Sequence, residues 1–201
     1  MTVTASKYPL KKNDLYETEA WATDACCRAL LQLGLWQNGL TIWEPAAGNH
    51  AMVKPFYNAG AKTVITSDIC KYNFPHTVMF DFLGNGEYDF LPNEFNIASN
   101  PPYGIQNRLA VKFAEKALAR CDGFVALLLT AKFDFGVTRK HLFQDNNRFL
   151  AKVALLDRIS WEGNGETGTE DHAWYIWGPR GYKVSSAAVL YEQKQPCLQV
   201  A

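Results

Sequence analysis

The chain has 201 residues, of which 48% are hydrophobic and 20% are charged. This is the composition of an ordinary globular protein, and it predicts a single domain over residues 1–201 rather than a disordered chain or a coiled coil. Twenty basic and twenty acidic residues give a formal net charge of zero, so any contact with nucleic acid has to come from a local patch.

The first half of the chain alternates helical and extended patterns. In chain order it predicts a helix at 16–35, a strand entering a turn at 40–48, a short helix at 51–60, a strand at 62–69 and a strand or its remnant within 78–83. Gly34 and Gly60 mark the predicted helix ends, and Thr18 or Asp24 is a candidate cap for the first helix.

The second half continues the alternation. It predicts a strand at 94–99, an amphipathic helix at 108–121, a strand at 123–131, a helix at 139–150, and strands at 152–160 and 172–178 that can pair as a hairpin across a glycine-rich loop. The run at 123–131 is too apolar for an edge strand, so we place it in the middle of the sheet.

This order of elements predicts an α/β fold. We expect a Rossmann-like three-layer sandwich with a mostly parallel, seven-stranded sheet and a C-terminal antiparallel hairpin. In such sheets ligands bind at the carboxyl ends of the strands, so the residues just after each strand are the informative ones.

Cysteine usage and hydropathy bear on the compartment. The five cysteines are scattered, without the spacing of metal ligands or the density of a disulfide-rich secreted domain. No window approaches the roughly 20 apolar residues of a membrane helix, and the first residues lack the apolar centre of a signal peptide. We therefore expect a cytoplasmic protein with neither metal nor membrane partner.

Three stretches after predicted strands carry acidic residues. WEPAAGNHAM places Glu44 before a small turn containing Gly48, where the backbone can approach a ligand. The strict dinucleotide fingerprint is absent, since His50 stands where a second glycine is expected. Asp68 follows the next strand, where a carboxylate can bind a ribose. Asp81, beside Phe82, is a further acceptor, although capping or a solvated position would also account for it.

The stretch SNPPYGIQ places Asn100-Pro101-Pro102-Tyr103 directly after the strand at 94–99. A turn needs one proline at most, so a polar amide followed by two rigid rings and a phenol calls for a chemical explanation. Prolines fix φ and so hold the backbone of this stretch rigid, and rigidly held groups provide the preorganisation that catalysis uses.

We call residues 100–103 the tetrad. The order of Glu44, Asp68 and Asp81 followed by this tetrad resembles the class I S-adenosylmethionine-dependent methyltransferases, specifically the adenine amino-methyltransferases of DNA. The resemblance spans residues 16–178 and departs from the family at His50. It implies binding of S-adenosyl-L-methionine by Tyr16, Thr18, Glu44, Pro45, Ala46, Gly48, Asp68, Ile69, Asp81, Phe82 and Asn100.

The resemblance also implies a chemistry for the tetrad. The Asn100 side-chain oxygen and the Pro101 carbonyl would accept hydrogen bonds from the 6-amino group of adenine, while Tyr103 stacks on a base flipped out of DNA. Trp161 is the candidate for the other face of the base. For Tyr16, packing on the sheet is an equally ordinary explanation. For Trp161, which begins a loop, packing is the more common one.

Other functions stay open. The same tetrad serves methylation of guanine in RNA or of glutamine in a protein, and the chain shows no extra helical substrate domain or separate target-recognition domain. A further alternative is not an enzyme: the protein would be a binding module that keeps the fold but has lost turnover because His50 crowds the cofactor loop. The oligomeric state, monomer or dimer, is not determined by the sequence.

Overall fold

The computed structural model describes residues 12–164, 166–183 and 186–195. Within these ranges it has three α-helices, namely α1 (Ala20–Gln32), α2 (Val53–Asn58) and α3 (Arg108–Arg120). It also has eight strands: β1 (Thr41–Glu44), β2 (Thr63–Asp68), β3 (Val78–Met79), β4 (Asn96–Ser99), β5 (Val125–Thr130), β6 (Phe149–Leu155), β7 (His172–Trp177) and β8 (Ala188–Glu192).

The described strands form one sheet with the order β3-β2-β1-β4-β5-β7-β6-β8. Strand β7 is antiparallel to both of its neighbours, and the other pairs are parallel. The Rossmann-like α/β fold and the antiparallel β6–β7 pair are therefore confirmed. Strand β5 lies in the interior of the sheet, as its apolar run predicts, with Val125, Leu127 and Leu129 fully buried.

The predicted number of seven strands is wrong, because β8 adds an eighth at the edge. It pairs in parallel with β6, from Ala151 opposite Ala188 to Leu155 opposite Glu192. Its residues alternate between half-buried and exposed, with Val189 and Tyr191 facing solvent. So short and half-exposed a run has a weak sequence signal.

The predicted helix at 139–150 is also wrong. The chain there forms a 3₁₀ helix over Val137–Leu142 and a set of turns, and β6 already begins at Phe149. The Asn146 side chain accepts a hydrogen bond from the Arg148 backbone N–H at 3.0 Å, which closes a turn and competes with helix formation.

Helix ends are partly as predicted. Gly34 and Gly60 follow α1 and α2 in left-handed conformations, with φ of 71° and 96°. Neither Thr18 nor Asp24 caps α1, since Glu19 occupies the N-cap position without a side-chain cap bond.

Two apolar clusters cover the two faces of the sheet. On one face α1 and α2 pack against strand residues such as Ile42 and Trp174. On the other, Phe113 of α3 packs with Trp43 and Leu127. This three-layer arrangement brings the carboxyl ends of β1, β2, β4, β5 and β6 to one edge of the sheet. No helix in the described part of the chain is long and apolar enough to cross a membrane.

Candidate active site

A cavity of about 440 Å³ opens at the carboxyl ends of β1, β2 and β4. Pro102 lines this cavity, whereas Pro101, Tyr103 and Trp161 lie outside its lining. Every residue predicted to bind the cofactor does line it: Tyr16, Thr18, Glu44, Pro45, Ala46, Gly48, Asp68, Ile69, Asp81, Phe82 and Asn100. Their contact with a cofactor stays a prediction.

Asp68 organises the turn that follows β1. Its Oδ2 accepts a hydrogen bond from the Gly48 backbone N–H at 3.0 Å, and its Oδ1 accepts one from the Cys70 N–H at 3.1 Å. Gly48 has a φ of 48°, and a Cβ there would come within 2.7 Å of Leu15 Cδ1. Glycine is therefore favoured at this position by the left-handed conformation, and a larger residue would also have to displace the end of the Leu15 side chain.

Asp81 holds a similar turn after β3. Its Oδ1 accepts a hydrogen bond from the Leu83 backbone N–H at 2.9 Å, and its side chain is exposed at the cavity rim. Turn formation and ligand binding are compatible here, because a carboxylate oxygen accepts more than one hydrogen bond.

Glu44 lines the cavity with an unsatisfied carboxyl group. The residue is 2% exposed, and its Oε2 has no hydrogen-bond partner among the described residues. Burial, followed by the nearby Asp68 carboxylate, raises the pKa of Glu44 well above its ordinary value. A buried, unpaired acid is costly, so this position favours a ligand that brings a positive charge or a hydrogen-bond donor into the cavity.

His50, the departure from the family pattern, does not line the cavity. Its Nε2 lies 2.9 Å from His76 Nδ1, and its ring stacks on Phe74 with 5.7 Å between ring centroids. Burial and His76 lower its pKa. The residue has a φ of 64°, the left-handed conformation that also suits the glycine expected there.

Residues 13–19 form a segment that we call the N-terminal strap, and residues 13–18 of it line the cavity. Hydrogen bonds tie the strap to segments after four different strands: Asn13 Nδ2 to Cys70 Sγ (3.1 Å), Gly104 N to Asp14 Oδ2 (2.8 Å), Asn49 Nδ2 to Glu17 Oε1 (2.6 Å), and Ser160 N to Glu19 Oε2 (2.8 Å). The strap is therefore built into the site at several points.

The strap also fixes the side chain of Asn100. Asn100 Nδ2 donates a hydrogen bond to the backbone carbonyl of Tyr16 at 3.0 Å. With the amide NH₂ group held in this way, the Oδ1 atom remains as an acceptor with no donor among the described residues. The orientation of the amide follows from this contact, since the oxygen and nitrogen are distinguished by their hydrogen-bond partners.

Four aromatic rings contact one another in sequence between the tetrad and the strap, and we call them the aromatic row: Tyr103, His172, Trp161 and Tyr16. Tyr103 stacks on His172 with centroids 6.2 Å apart, and Trp161 meets His172 edge-on at 5.0 Å and Tyr16 edge-on at 5.9 Å. The Tyr103 hydroxyl donates to the Leu128 carbonyl at 3.1 Å, which fixes its ring against β5.

His172 is the unexpected member of the aromatic row, because the ring that faces Tyr103 is this imidazole rather than Trp161. It is 5% exposed, and its Nδ1 lies 3.1 Å from the Glu170 carbonyl. Burial lowers the pKa of His172 to about 4, so the ring is neutral at pH 7 and Nδ1 carries the proton that it donates to Glu170. An isolated histidine at the start of a strand gives no sequence signal for this position.

No described group of three or more histidine, cysteine, aspartate or glutamate side chains is arranged to hold a metal ion. The residues that sequence reasoning missed at the site are mainly in the strap, namely Asn13, Asp14 and Glu17. Their pattern is unremarkable in the sequence, because their partners lie after strands that are far away along the chain.

No protein family and no curated protein matches the chain by sequence. Solved structures match its fold. A proposed class I S-adenosylmethionine-dependent methyltransferase from Listeria monocytogenes aligns with a TM-score of 0.63 and 11% identity, over 93% of this chain and 68% of that one. A proposed RNA methyltransferase from Pyrococcus horikoshii aligns with a TM-score of 0.62 and 17% identity, over 86% and 90% of the two chains.

The methyltransferase subunit of a type I restriction-modification system from Streptococcus thermophilus aligns with a TM-score of 0.61 and 13% identity. The match covers 92% of this chain and 48% of that subunit, so the chain spans about half of its length. At these identities the likeness establishes the fold: the chain has the α/β fold of class I methyltransferases.

Proposed function

We propose that the protein transfers a methyl group from S-adenosylmethionine to the exocyclic 6-amino group of adenine in DNA. The observation that carries the proposal is that Asn100 of the tetrad and the unpaired carboxyl group of Glu44 line one cavity. The first suits an amino-group substrate and the second suits a positively charged cofactor. Their joint presence at the carboxyl edge of this fold favours methyl transfer.

The cavity residues fit S-adenosylmethionine. The cofactor supplies an electrophilic methyl group on a positively charged sulfonium, and it carries a second positive charge on its ammonium group. Glu44 would pair with one of these charges, which explains an acid kept in a buried place without a partner. Asp68 and Asp81 would bind hydroxyl and amino groups of the nucleoside, with Phe82 and Ile69 as apolar cover, and the strap would close over the methionine end.

At the amino group, Asn100 and Pro101 would act as fixed acceptors. The lone pair of an adenine amino group is delocalised into the ring, so hydrogen bonds accepted from both of its hydrogens make the nitrogen more tetrahedral and a better nucleophile. Asn100 Oδ1 is oriented for this role by the contact of Nδ2 with Tyr16. Pro101 is buried, and the two prolines hold its carbonyl in place.

The aromatic row would hold the base itself. Tyr103 and His172 present nearly parallel rings with an interplanar angle of 28°. The two rings already contact each other, so a flipped base would stack on the face of Tyr103 that His172 leaves free, and this stacking would compensate the base for leaving the duplex. Trp161 is placed edge-on to His172, so it would support the stacking rings as well as contact the base.

An inactive binding module is the less favoured alternative, because the lining of the cavity excludes His50. Methylation of guanine in RNA or of glutamine in a protein uses the same acceptors, and the choice among these substrates is made by experiment. The aspartate form of the tetrad also occurs in the family, which provides a conservative variant for the test.

The test compares the wild type with Asn100→Ala and Asn100→Asp in transfer of labelled methyl groups to mixed-sequence DNA. We expect Asn100→Ala to lose at least about 100-fold in rate, the cost typical of removing one preorganised hydrogen-bonding group. Asn100→Asp should keep part of the activity, because it keeps an acceptor oxygen. Equal rates for the wild type and Asn100→Ala would refute the role of the tetrad, provided that cofactor binding is unchanged.

A further inference from the structure

The edge of the sheet that carries the site is divided by charge. Residues 104–112 and 131–140, which follow β4 and β5, hold five basic residues and one acidic residue: Arg108, Lys112, Lys132, Arg139, Lys140 and Asp134. Residues 156–171, which follow β6, have the opposite balance, with five acidic residues and one basic residue: Asp157, Glu162, Glu166, Glu170, Asp171 and Arg158. A chain with zero net charge thus has a strong local asymmetry beside the tetrad.

Asp134, the one acidic residue of segments 104–112 and 131–140, is paired with a lysine from elsewhere in the fold. Lys152 Nζ lies 2.9 Å from Asp134 Oδ1 and donates to the Ala131 carbonyl at 2.7 Å. Lys140 pairs with Asp145 at 3.1 Å, but both side chains are half exposed, so solvent weakens that pair. Arg108, Lys112 and Lys132 are exposed and form no ion pair with a described carboxylate. Their charges are available to a polyanion.

The same two segments expose large apolar side chains. Val137 is 85% exposed and Ile105 is 80% exposed, the highest fractions among the large hydrophobic residues that the structure describes, and Phe135 is 67% exposed. Large apolar side chains exposed to this degree on segments that follow the adjacent strands β4 and β5 suit a surface that binds a partner.

The segment 131–140 is held in place by several contacts. Arg139 Nη2 donates to the Phe135 carbonyl, and its guanidinium lies 4.8 Å from the centre of the Phe133 ring. The Lys152 ammonium lies 5.6 Å from the centre of the Phe135 ring. His141 contacts Glu115 of α3 at 2.8 Å and so ties the loop after β5 to the helix that follows the tetrad.

We propose that residues 104–112 and 131–140 form the surface that binds duplex DNA, with Arg108, Lys112 and Lys132 contacting phosphates and Ile105, Phe135 and Val137 entering the base stack beside the flipped base. The inference rests on the proposed function. Exposed basic residues suit the phosphate backbone, and apolar wedges beside them suit a duplex that has to be opened. The acidic segment 156–171 repels phosphates, so the duplex crosses the site on the β4–β5 side.

The test uses a triple variant, Arg108→Gln with Lys112→Gln and Lys132→Gln, in which none of the changed residues lines the cavity. The matched control removes the same charge elsewhere through Lys54→Gln, Lys62→Gln and Lys183→Gln, all on exposed side chains. Binding of a labelled mixed-sequence duplex is followed by fluorescence anisotropy at several salt concentrations. The Tm of each protein is measured without ligand, which verifies its fold.

We expect the triple variant to bind the duplex at least about tenfold more weakly than the control. The slope of log K against log salt should fall by about 0.9 for each lost phosphate contact. Equal affinity and slope in the triple variant and the control would overturn the proposal. Tighter binding of an RNA duplex of the same length by the wild type, or no binding of either, would overturn it as well.

A second variant tests the wedge. Val137→Ser with Ile105→Ser should lower the ratio of methyl transfer on duplex DNA to that on single strands by about tenfold or more, because only the duplex has a stack to open. Equal losses on both substrates would refute the wedge. The failures are distinguishable: if the wild type binds DNA through this surface but transfers no methyl group, the surface stands and the proposed function falls.

Discussion

The most informative single perturbation is Glu44→Gln, because it should stabilise the free protein and weaken cofactor binding at the same time. The change keeps the shape of the side chain and removes the charge. Glu44 is 2% exposed, its Oε2 is unpaired among the described residues, and Asp68 adds like-charge repulsion. Ionisation of this buried acid costs the folded protein free energy that a neutral amide of the same shape does not, even though both lack a hydrogen-bond partner there among the described residues.

We therefore expect the cofactor-free Glu44→Gln protein to be more stable than the wild type at pH 8 by about 2 kcal/mol. For a chain of this size that corresponds to a rise of about 4–8 °C in Tm. The sign follows from the pKa of Glu44, which is raised in the folded protein. The wild type then loses stability as the pH rises from the unfolded value near 4.5 through the folded pKa. The stability difference should shrink at low pH, where Glu44 is protonated.

Cofactor binding should change in the opposite direction. S-adenosylmethionine at 100 times its Kd stabilises the wild type by about 2.7 kcal/mol. Loss of a charge-assisted contact worth about 2 kcal/mol raises the Kd roughly 30-fold, and the same concentration then stabilises Glu44→Gln by less than about 1 kcal/mol. Differential scanning fluorimetry with and without cofactor measures both effects. A variant that is less stable without cofactor, or that shows the full cofactor shift, would refute the reasoning.

Three further changes test other parts of the structure. A folded pKa of about 4 for His172 makes the wild type lose stability as the pH falls, whereas His172→Gln has no such group. The difference in free energy of unfolding between the wild type and His172→Gln should therefore shrink by about 3 kcal/mol between pH 6.5 and 4 in urea titrations. A difference that stays constant with pH would contradict this. Arg148→Met should lower the free energy of unfolding by about 3 kcal/mol, since the buried guanidinium donates to the carbonyls of Leu118, Cys121, Gly123 and Gly178; the measurement is urea denaturation, and a loss under 1 kcal/mol is the opposing result. Asp14→Ala should raise the cofactor Kd about tenfold in calorimetry, because it releases the strap from Gly104; an unchanged Kd would mean that the strap does not help to bind the cofactor.

Much of the fold was predictable because its signals are local. The apolar run at β5 and the glycines after α1 and α2 specify their own conformations. The acidic residues after β1 and β2 and the tetrad after β4 reach one cavity because parallel strands end at one edge. The lining residues that come directly after these strands follow from strand order once the sheet is identified, whereas those of the strap do not.

The errors and omissions have physical causes. Strand β8 forms because it can pair with the open edge of β6, which the sequence of β8 does not reveal. The segment at 139–150 has helical spacing but is held by tertiary contacts, including a buried Leu142. The strap residues and His172 act through partners far away in the chain, so their place at the site depends on the assembled fold.

The measurement that tests the central claim most directly is transfer of labelled methyl from S-adenosylmethionine to mixed-sequence DNA, with RNA and a protein extract in parallel, followed by nucleoside and amino-acid analysis. The account predicts N6-methyladenine in DNA, with label that disappears in Asn100→Ala. Label in guanine of RNA or in glutamine of protein, with none in DNA, would contradict it, as would the absence of label in every substrate.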